Sequence, residues 1–201
     1  MPSARYKYLT ARLAQLRDRL LPKVFSPTGS YSMREYDKVR AYRLLAHAEV
    51  ESYLEDRARR VATDAYNKWC VDHRPRAVLI SLMAFHLEQE GVSAHKLREV
   101  LAGARRHTDD SVKSATQAYN KMLSNNHGIR EENVLRILLP LGVEGADIDS
   151  LWLSTIHAFG TNRGETAHTS IRTQQPPDPA GEFRVVSDIV AGLRQIDQKL
   201  R

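Results

Sequence analysis

The sequence predicts an all-α fold, a compact bundle of about eight or nine helices in a single domain. Apolar residues recur at spacings of three and four along most of the chain, and no stretch shows the alternation of a half-exposed strand. The 201 residues include only 10 glycines and 8 prolines, the residues that most often interrupt helices. The predicted domain, 1–201, divides into a basic N-terminal helix and loop (1–30), a core bundle (31–173), a proline-rich linker (174–181) and a C-terminal helix (182–201).

Three helices are predicted in the first part of the chain. An apolar stripe predicts the first over 3–21, and a long second helix runs from about Met33 to about Trp69. Pro75 suits the first turn of the third helix, because the N–H that proline lacks has no helical partner there. Gly91 is expected to end that helix.

Two helices of moderate length are predicted next. Ser93 is a candidate N-cap for a short helix that reaches about Arg105. Asp109 or Asp110 is a candidate N-cap for another that runs to Asn126. The Asn-His-Gly order that follows predicts a helix stop, because glycine adopts a positive φ at low cost.

The remaining helices are shorter and lie between glycines and prolines. One is predicted over 131–139 and another over 148–159, with Gly160 ending the latter. A motif helix is then expected to begin at Arg163. After the linker, a last apolar stripe predicts the helix over 182–201.

The charge of the chain favours a polyanionic partner. The formal net charge is +6, and lysine and arginine are concentrated in the first two dozen residues and again over 57–76. Such clusters attract phosphate before any specific contact forms, which predicts RNA binding. The alternative is that the clusters are ordinary solvated helix faces.

The single cysteine and the lack of long apolar runs limit the classes of protein that fit. Cys70 stands alone, so an internal disulfide and a cysteine-based zinc site are excluded, and a reducing cytoplasm is the expected location. No apolar run approaches the roughly 20 residues that a membrane span needs, so no membrane association is expected.

The segment 159–169 carries the most informative motif. Its order, Phe-Gly-Thr-Asn-Arg-Gly-Glu-Thr-Ala-His-Thr, places four residues between Arg163 and His168 and resembles the Arg-x4-6-His signature of the HEPN superfamily, in particular the RiboL-PSP-HEPN subfamily. Further similarity, which extends the resemblance over most of 34–173, lies in 126–129, Asn133, 138–142 and 48–51.

The resemblance implies an activity and an assembly. HEPN proteins of this kind are metal-independent endoribonucleases that need no cofactor and act as homodimers with a shared active site. The expected role is that of a toxin or antiviral defence effector, with a possible inhibitory or sensor partner protein. Arg163 and His168 would be the catalytic residues.

The chemistry of the two motif residues fits RNA cleavage. Asn162 and Glu165 have the pattern of a helix N-cap with its reciprocal carboxylate, which would leave free N–H groups beside Arg163 for a phosphate. The guanidinium suits the oxygens of a pentacoordinate phosphorus, and His168 can exchange a proton near neutral pH. The 2′-hydroxyl of RNA supplies the nucleophile, so no metal is required and DNA should resist.

Two glutamates are candidate supporting residues, each with an alternative role. Glu165 lies three positions before His168 and either orients the imidazole or serves only as the cap. Glu49 lies on a stripe of the long helix that should be mostly buried, where a carboxylate needs a partner. It either holds Arg163 or forms a plain ion pair at the edge of the core.

Asn126 and His127 are possible RNA contacts. They would reach the cleft if the helix stop after 126 lies beside the motif helix. The alternative is that Asn126, His127 and Gly128 serve only to end the helix.

The spacing of the motif favours a homodimer. Arg163 and His168 are about 140° apart around a straight helix, so one copy cannot easily direct both at one phosphorus. A two-fold axis near this helix would bring both residue types from two copies into one cleft. The competing hypotheses are a non-catalytic HEPN scaffold that dimerises and binds a partner, and a basic nucleic-acid-binding adaptor.

Overall fold

A computed structural model describes residues 1–90, 104–168 and 175–200 of the chain, with side chains at 87–90, 104–106 and 165–168 outside the described set. In these ranges the structure contains α-helices and short 3-10 turns and no strand. The prediction of an all-α fold is therefore confirmed for the described residues. None of the helices in these ranges is both long enough and apolar enough to cross a membrane.

Seven α-helices account for most of the described residues, fewer than the eight or nine predicted. The predicted helix from Ser93 lies largely outside the described residues. The helices are α1 (Ala4–Leu20), α2 (Met33–Asp72), α3 (Ala77–Glu90), α4 (Ala104–Ser124), α5 (Glu131–Leu138), α6 (Ser150–His168) and α7 (Pro179–Lys199), with 3-10 turns at Leu139–Leu141 and Gly145–Asp147.

Several predicted helix starts were wrong. Pro75 lies two residues before α3, which begins at Ala77, and so is not in its first turn. Asp109 and Asp110 lie inside α4 and do not cap it, and Asp109 instead accepts a hydrogen bond of 2.9 Å from the Trp69 indole. Helix α7 begins at Pro179, three residues before the predicted start, because Asp178 accepts hydrogen bonds from the N–H groups of Ala180 and Gly181. The acidic N-cap outweighs the proline-rich composition that predicted a linker through 181.

Helix α2 is the central element of the bundle. Its 40 residues extend over about 60 Å, and the other six described helices all contact it. A capping box formed by Ser32 and Glu35 fixes its start, and His73 ends it in the left-handed conformation with φ of 51°. The predicted long helix is confirmed, and the remaining helices are positioned by the faces that α2 offers them.

A buried carboxylate joins the two ends of the chain to the middle of α2. Asp197 of α7 is 2 % exposed and accepts hydrogen bonds from Ser3, Tyr53 and Arg57 at 2.6 to 3.0 Å. Burial raises the pKa of this carboxyl, but the hydrogen bonds outweigh burial and leave its pKa below the usual value. Asp197 is therefore ionised at neutral pH and ties α1, α2 and α7 together.

We expect Asp197→Asn to lower the free energy of unfolding by about 2 to 4 kcal/mol at neutral pH, because it leaves the Arg57 charge without its buried partner. Urea denaturation followed by circular dichroism measures this. Asp188→Asn, on the exposed face of the same helix, is the matched control and should change stability by less than about 0.5 kcal/mol. Equal free energies of unfolding for the two variants would show that the Asp197 hydrogen bonds do not stabilise the packing of α1, α2 and α7.

Candidate functional site

The motif segment lies inside one continuous helix. Helix α6 runs from Ser150 to His168, so Gly160 does not end a helix and Asn162 is not an N-cap. The N–H groups beside Arg163 are taken up by the helix itself, and the predicted backbone phosphate site at this position was wrong. Any anion held here must be held by side chains.

Gly160 has a packing role that explains its presence within the helix. A Cβ at this position would lie 3.3 Å from the backbone nitrogen and the Cγ of Arg130, and 3.4 Å from the carbonyl carbon of Ile129. One turn later, a Cβ at Gly164 would lie 3.7 Å from a guanidinium nitrogen of Arg130. The two glycines thus let the segment 129–130 cross α6 in close contact.

Two guanidinium groups occur at this turn of α6. Arg163 is exposed to solvent, as is its neighbour Asn162. Arg130, which the sequence did not single out, lies against Gly164 with its guanidinium. Two arginines so placed make the surface around the turn favourable for a phosphate group.

A buried histidine lies behind Arg163. His47 of α2 is 2 % exposed, its ring centroid lies 6.0 Å from that of Phe159, and its Nδ1 has no hydrogen-bond partner. The nearest carboxylate oxygen, on Glu51, is 3.6 Å from Nδ1, beyond a good hydrogen bond. Burial first and the positive charge of Arg163 second lower the pKa of His47 to about 4. His47 is therefore neutral at neutral pH despite the nearby carboxylate.

Glutamates of α2 hold the loop that follows α4. The Gly128 N–H donates to Glu51, and the Asn126 side-chain amide donates to Glu55 at 2.8 Å and to the Gly128 carbonyl at 3.0 Å. Gly128 adopts φ of 119°, and α4 ends at Ser124, so the predicted helix stop is confirmed. His127 is exposed between the two anchored residues.

The loop and the motif helix belong to one polar region. Asn126 is fixed from a second side by Asn133, which donates a hydrogen bond of 3.0 Å to it. The Glu131 N–H approaches Nδ1 of His157, on α6, at 3.4 Å. The structure thus brings the loop 126–131 beside the helix that carries Arg163, whereas no described contact joins His127 to Arg163.

Glu49 takes the second of its two predicted roles. It accepts a hydrogen bond of 3.0 Å from Arg12 of α1 and forms an ion pair with it. The prediction that Glu49 holds Arg163 was therefore wrong, because its side chain points to the α1 side of α2. The carboxylate near the motif helix is Glu51, two positions later, and two residues on a helix differ by about 200° in direction.

The second motif residue is described by its backbone alone. His168 is the last residue of α6, and the side chains of His168 and Glu165 lie outside the described set. His168 is five positions after Arg163 on a continuous helix, which corresponds to about 7.5 Å along the axis and about 140° around it. The predicted angular separation therefore applies to the observed helix.

Three residues of this region were missed by sequence reasoning. His47 and Arg130 have no motif of their own, and Glu51 entered only as part of the similar stretch 48–51. The spacing of four between His47 and Glu51 puts them on one helix face. Only the crossing of 129–130 over α6 identifies Arg130. Comparison with protein-family models, with curated proteins and with solved structures finds no match to this chain.

The buried neutral His47 predicts a stability that depends on pH. Its folded pKa of about 4 is below the ordinary value of 6.5, so the folded state binds the proton less well than the unfolded state. Its contribution is complete above the unfolded pKa and is lost as the pH falls towards the folded pKa. We expect wild type to lose about 3 kcal/mol more than His47→Gln between about pH 7 and pH 4.

Chemical denaturation at a series of pH values measures the difference. His127→Gln, which removes an exposed histidine of the loop after α4, is the matched control. If the free energy of unfolding changed with pH in the same way for wild type and His47→Gln, His47 would have the same pKa in the folded and unfolded states, which would contradict the prediction.

Proposed function

We propose that this chain is a metal-independent endoribonuclease of the HEPN type. The observation that carries the proposal is the placement of two guanidinium groups together. Arg163 is exposed on a continuous helix, and the guanidinium of Arg130 lies against Gly164 in the same helical turn. That turn lies next to an anchored polar loop, 126–131, and holds the motif that resembles the superfamily. The net charge of +6 is suited to an RNA substrate.

The proposed reaction uses the nucleophile that RNA carries. The 2′-oxygen attacks the adjacent phosphorus, the bond from phosphorus to the 5′-oxygen breaks, and a 2′,3′-cyclic phosphate and a 5′-hydroxyl result. The imidazole of His168 takes the proton of the 2′-hydroxyl and returns it to the leaving 5′-oxygen. Arg163 donates hydrogen bonds to the equatorial oxygens, whose charge is greatest in the transition state.

Arg130 and His47 would support Arg163 from different directions. Arg130 adds positive charge beside the same helical turn. His47 is buried and neutral, so it lies beside Arg163 without contributing a negative charge that would neutralise the guanidinium. Asn126 and His127 would contact RNA from the anchored loop, which Glu51 and Glu55 hold by hydrogen bonds.

A homodimer would complete the site. Residues about 140° apart on one helix do not converge on one phosphorus, whereas a two-fold axis beside α6 would combine Arg163 of one copy with His168 of another. The proposed role is that of a toxin or antiviral effector in the cytoplasm, kept inactive by an inhibitory or sensor partner. The lone Cys70 suits a reducing compartment.

Cleavage assays on total RNA in EDTA test the activity. We expect Arg163→Ala and His168→Ala each to lower the cleavage rate by about 100-fold or more, because each removes a group that acts in the transition state. Arg163→Lys should recover little, because lysine keeps the charge and loses the planar donor fork. Substrates with 2′-deoxy sugars should not be cut.

Arg74→Ala is the control, since it removes an exposed arginine just beyond the end of α2 at Asp72, which lies about 37 Å along that helix from His47. Equal cleavage by wild type and both motif variants would reject the assignment of the site. RNA binding without cleavage by wild type would favour a non-catalytic HEPN scaffold or an adaptor.

Co-expression of Arg163→Ala and His168→Ala chains with different tags tests the shared site. Each heterodimer keeps one intact arginine and one intact histidine on opposite copies, so we expect about a quarter of the wild-type rate after random pairing. Each variant alone should stay inactive. Purified heterodimers without activity would mean that both groups act from the same copy.

A further inference from the structure

A polar cavity is lined in part by Asn126 of the anchored loop. It has a volume of about 290 Å³ and is formed between the C-terminal half of α4 and the helix α5. Its polar lining consists of Lys121, Asn125, Asn126, Asn133 and Arg136. The lining thus combines two cations with three amides and contains no carboxylate.

The two cations come from different helices and extend into solvent at the cavity. Lys121 and Arg136 are both exposed. Arg136 is 3.9 Å from Glu132, but both of these side chains are more than half exposed, and such a pair contributes little. The guanidinium is therefore available to an anion, and Lys121 on the opposite helix can contact the same anion.

The amides offer a donor and acceptor pattern beside the cations. Asn126 donates to Glu55 and to the Gly128 carbonyl and accepts a hydrogen bond of 3.0 Å from Asn133, so the amides that a base would engage are those of Asn125 and Asn133. Asn125 is exposed at the mouth of the cavity. Side-chain amides hold the edges of nucleobases because each presents a donor and an acceptor side by side.

An apolar cavity continues from the polar one. It has a volume of about 400 Å³, includes Phe85, Leu135 and Pro140 in its lining together with the exposed Glu132, and shares Ala118, Met122 and Arg136 with the polar cavity. These neighbouring surfaces suit a nucleotide. The face of a planar base packs on apolar side chains, its edge bonds to amides, and the adjacent phosphate pairs with cations.

We propose that these two cavities form a subsite for one nucleotide of single-stranded RNA, with its phosphate between Lys121 and Arg136 and its base against Met122. The proposal rests on the endoribonuclease function and names a substrate contact outside the motif helix. Asn126 connects the subsite to the loop of Gly128, which lies beside the motif helix. The cations and amides favour RNA over an acidic peptide, which offers no base edge.

Binding of a 2′-O-methyl oligoribonucleotide to the full chain, measured by fluorescence anisotropy, tests the subsite separately from cleavage, because this probe cannot be cut. We expect Lys121→Ala with Arg136→Ala to weaken binding about tenfold or more, and to reduce the slope of log affinity against log salt by about 1 to 1.5. Lys113→Ala with Arg74→Ala removes the same charge from exposed positions elsewhere and should weaken binding less than about threefold.

Asn125→Ala tests the contact to the base. It should reduce the differences in affinity among oligo(A), oligo(C), oligo(G) and oligo(U) and leave the salt slope unchanged. All variants alter exposed side chains, and thermal melting verifies that they fold.

Equal binding of the probe by the pocket and control variants overturns the subsite. Failure of wild type to bind the probe also overturns it, and is the result expected if the cavity binds a protein partner instead. Wild type that binds the probe through Lys121 and Arg136 but fails to cut unmodified RNA supports the subsite and rejects the nuclease. Cleavage that is insensitive to the pocket substitutions rejects the subsite and leaves the nuclease standing.

Discussion

The contact of α2 with each of the six other described helices is the constraint on which the other elements depend. Its buried positions recur around the helix and include Tyr42, Val50, Tyr53 and Ala62. A helix that is apolar on several faces must be covered on each of them, and six helices contact it in the described part of the chain. The position of every side chain near Arg163 follows from this arrangement, because α6 and the loop 126–131 both lie against α2.

Polar groups inside this arrangement divide into two kinds. Asp197 accepts hydrogen bonds from Ser3, Tyr53 and Arg57, and the pair formed by Arg43 and Glu182 joins α2 to α7 with both side chains mostly buried. These groups are satisfied and fix the ends of the bundle.

His47 belongs to the other kind. It is as buried as Asp197, yet its Nδ1 has no hydrogen-bond partner. A buried polar atom without a partner costs free energy and is rare in folded proteins, which is why its occurrence next to Arg163 draws attention to this end of α2. The neutral state is the form that this environment can accept, because burial and the arginine charge both oppose protonation.

Periodicity and local signals were enough to predict the helical class, the long second helix and the stop at Gly128. Apolar spacing reports which face of a helix is buried, and a glycine after a short polar run reports a left-handed turn. The sequence alone also determined the spacing of Arg163 and His168 on one helix. It did not determine that Gly160 lies within α6, since a glycine that ends a helix and one that admits a crossing backbone look alike in sequence.

Tertiary structure decided which partners the polar side chains have. Glu49 and Glu51 are two residues apart, and only the placement of α1 and of the loop shows that Glu49 meets Arg12 while Glu51 meets Gly128. Arg130 reaches α6 because two glycines leave room for its segment. Such contacts join residues far apart in the chain, and local propensity carries no information about them because they depend on how whole helices pack.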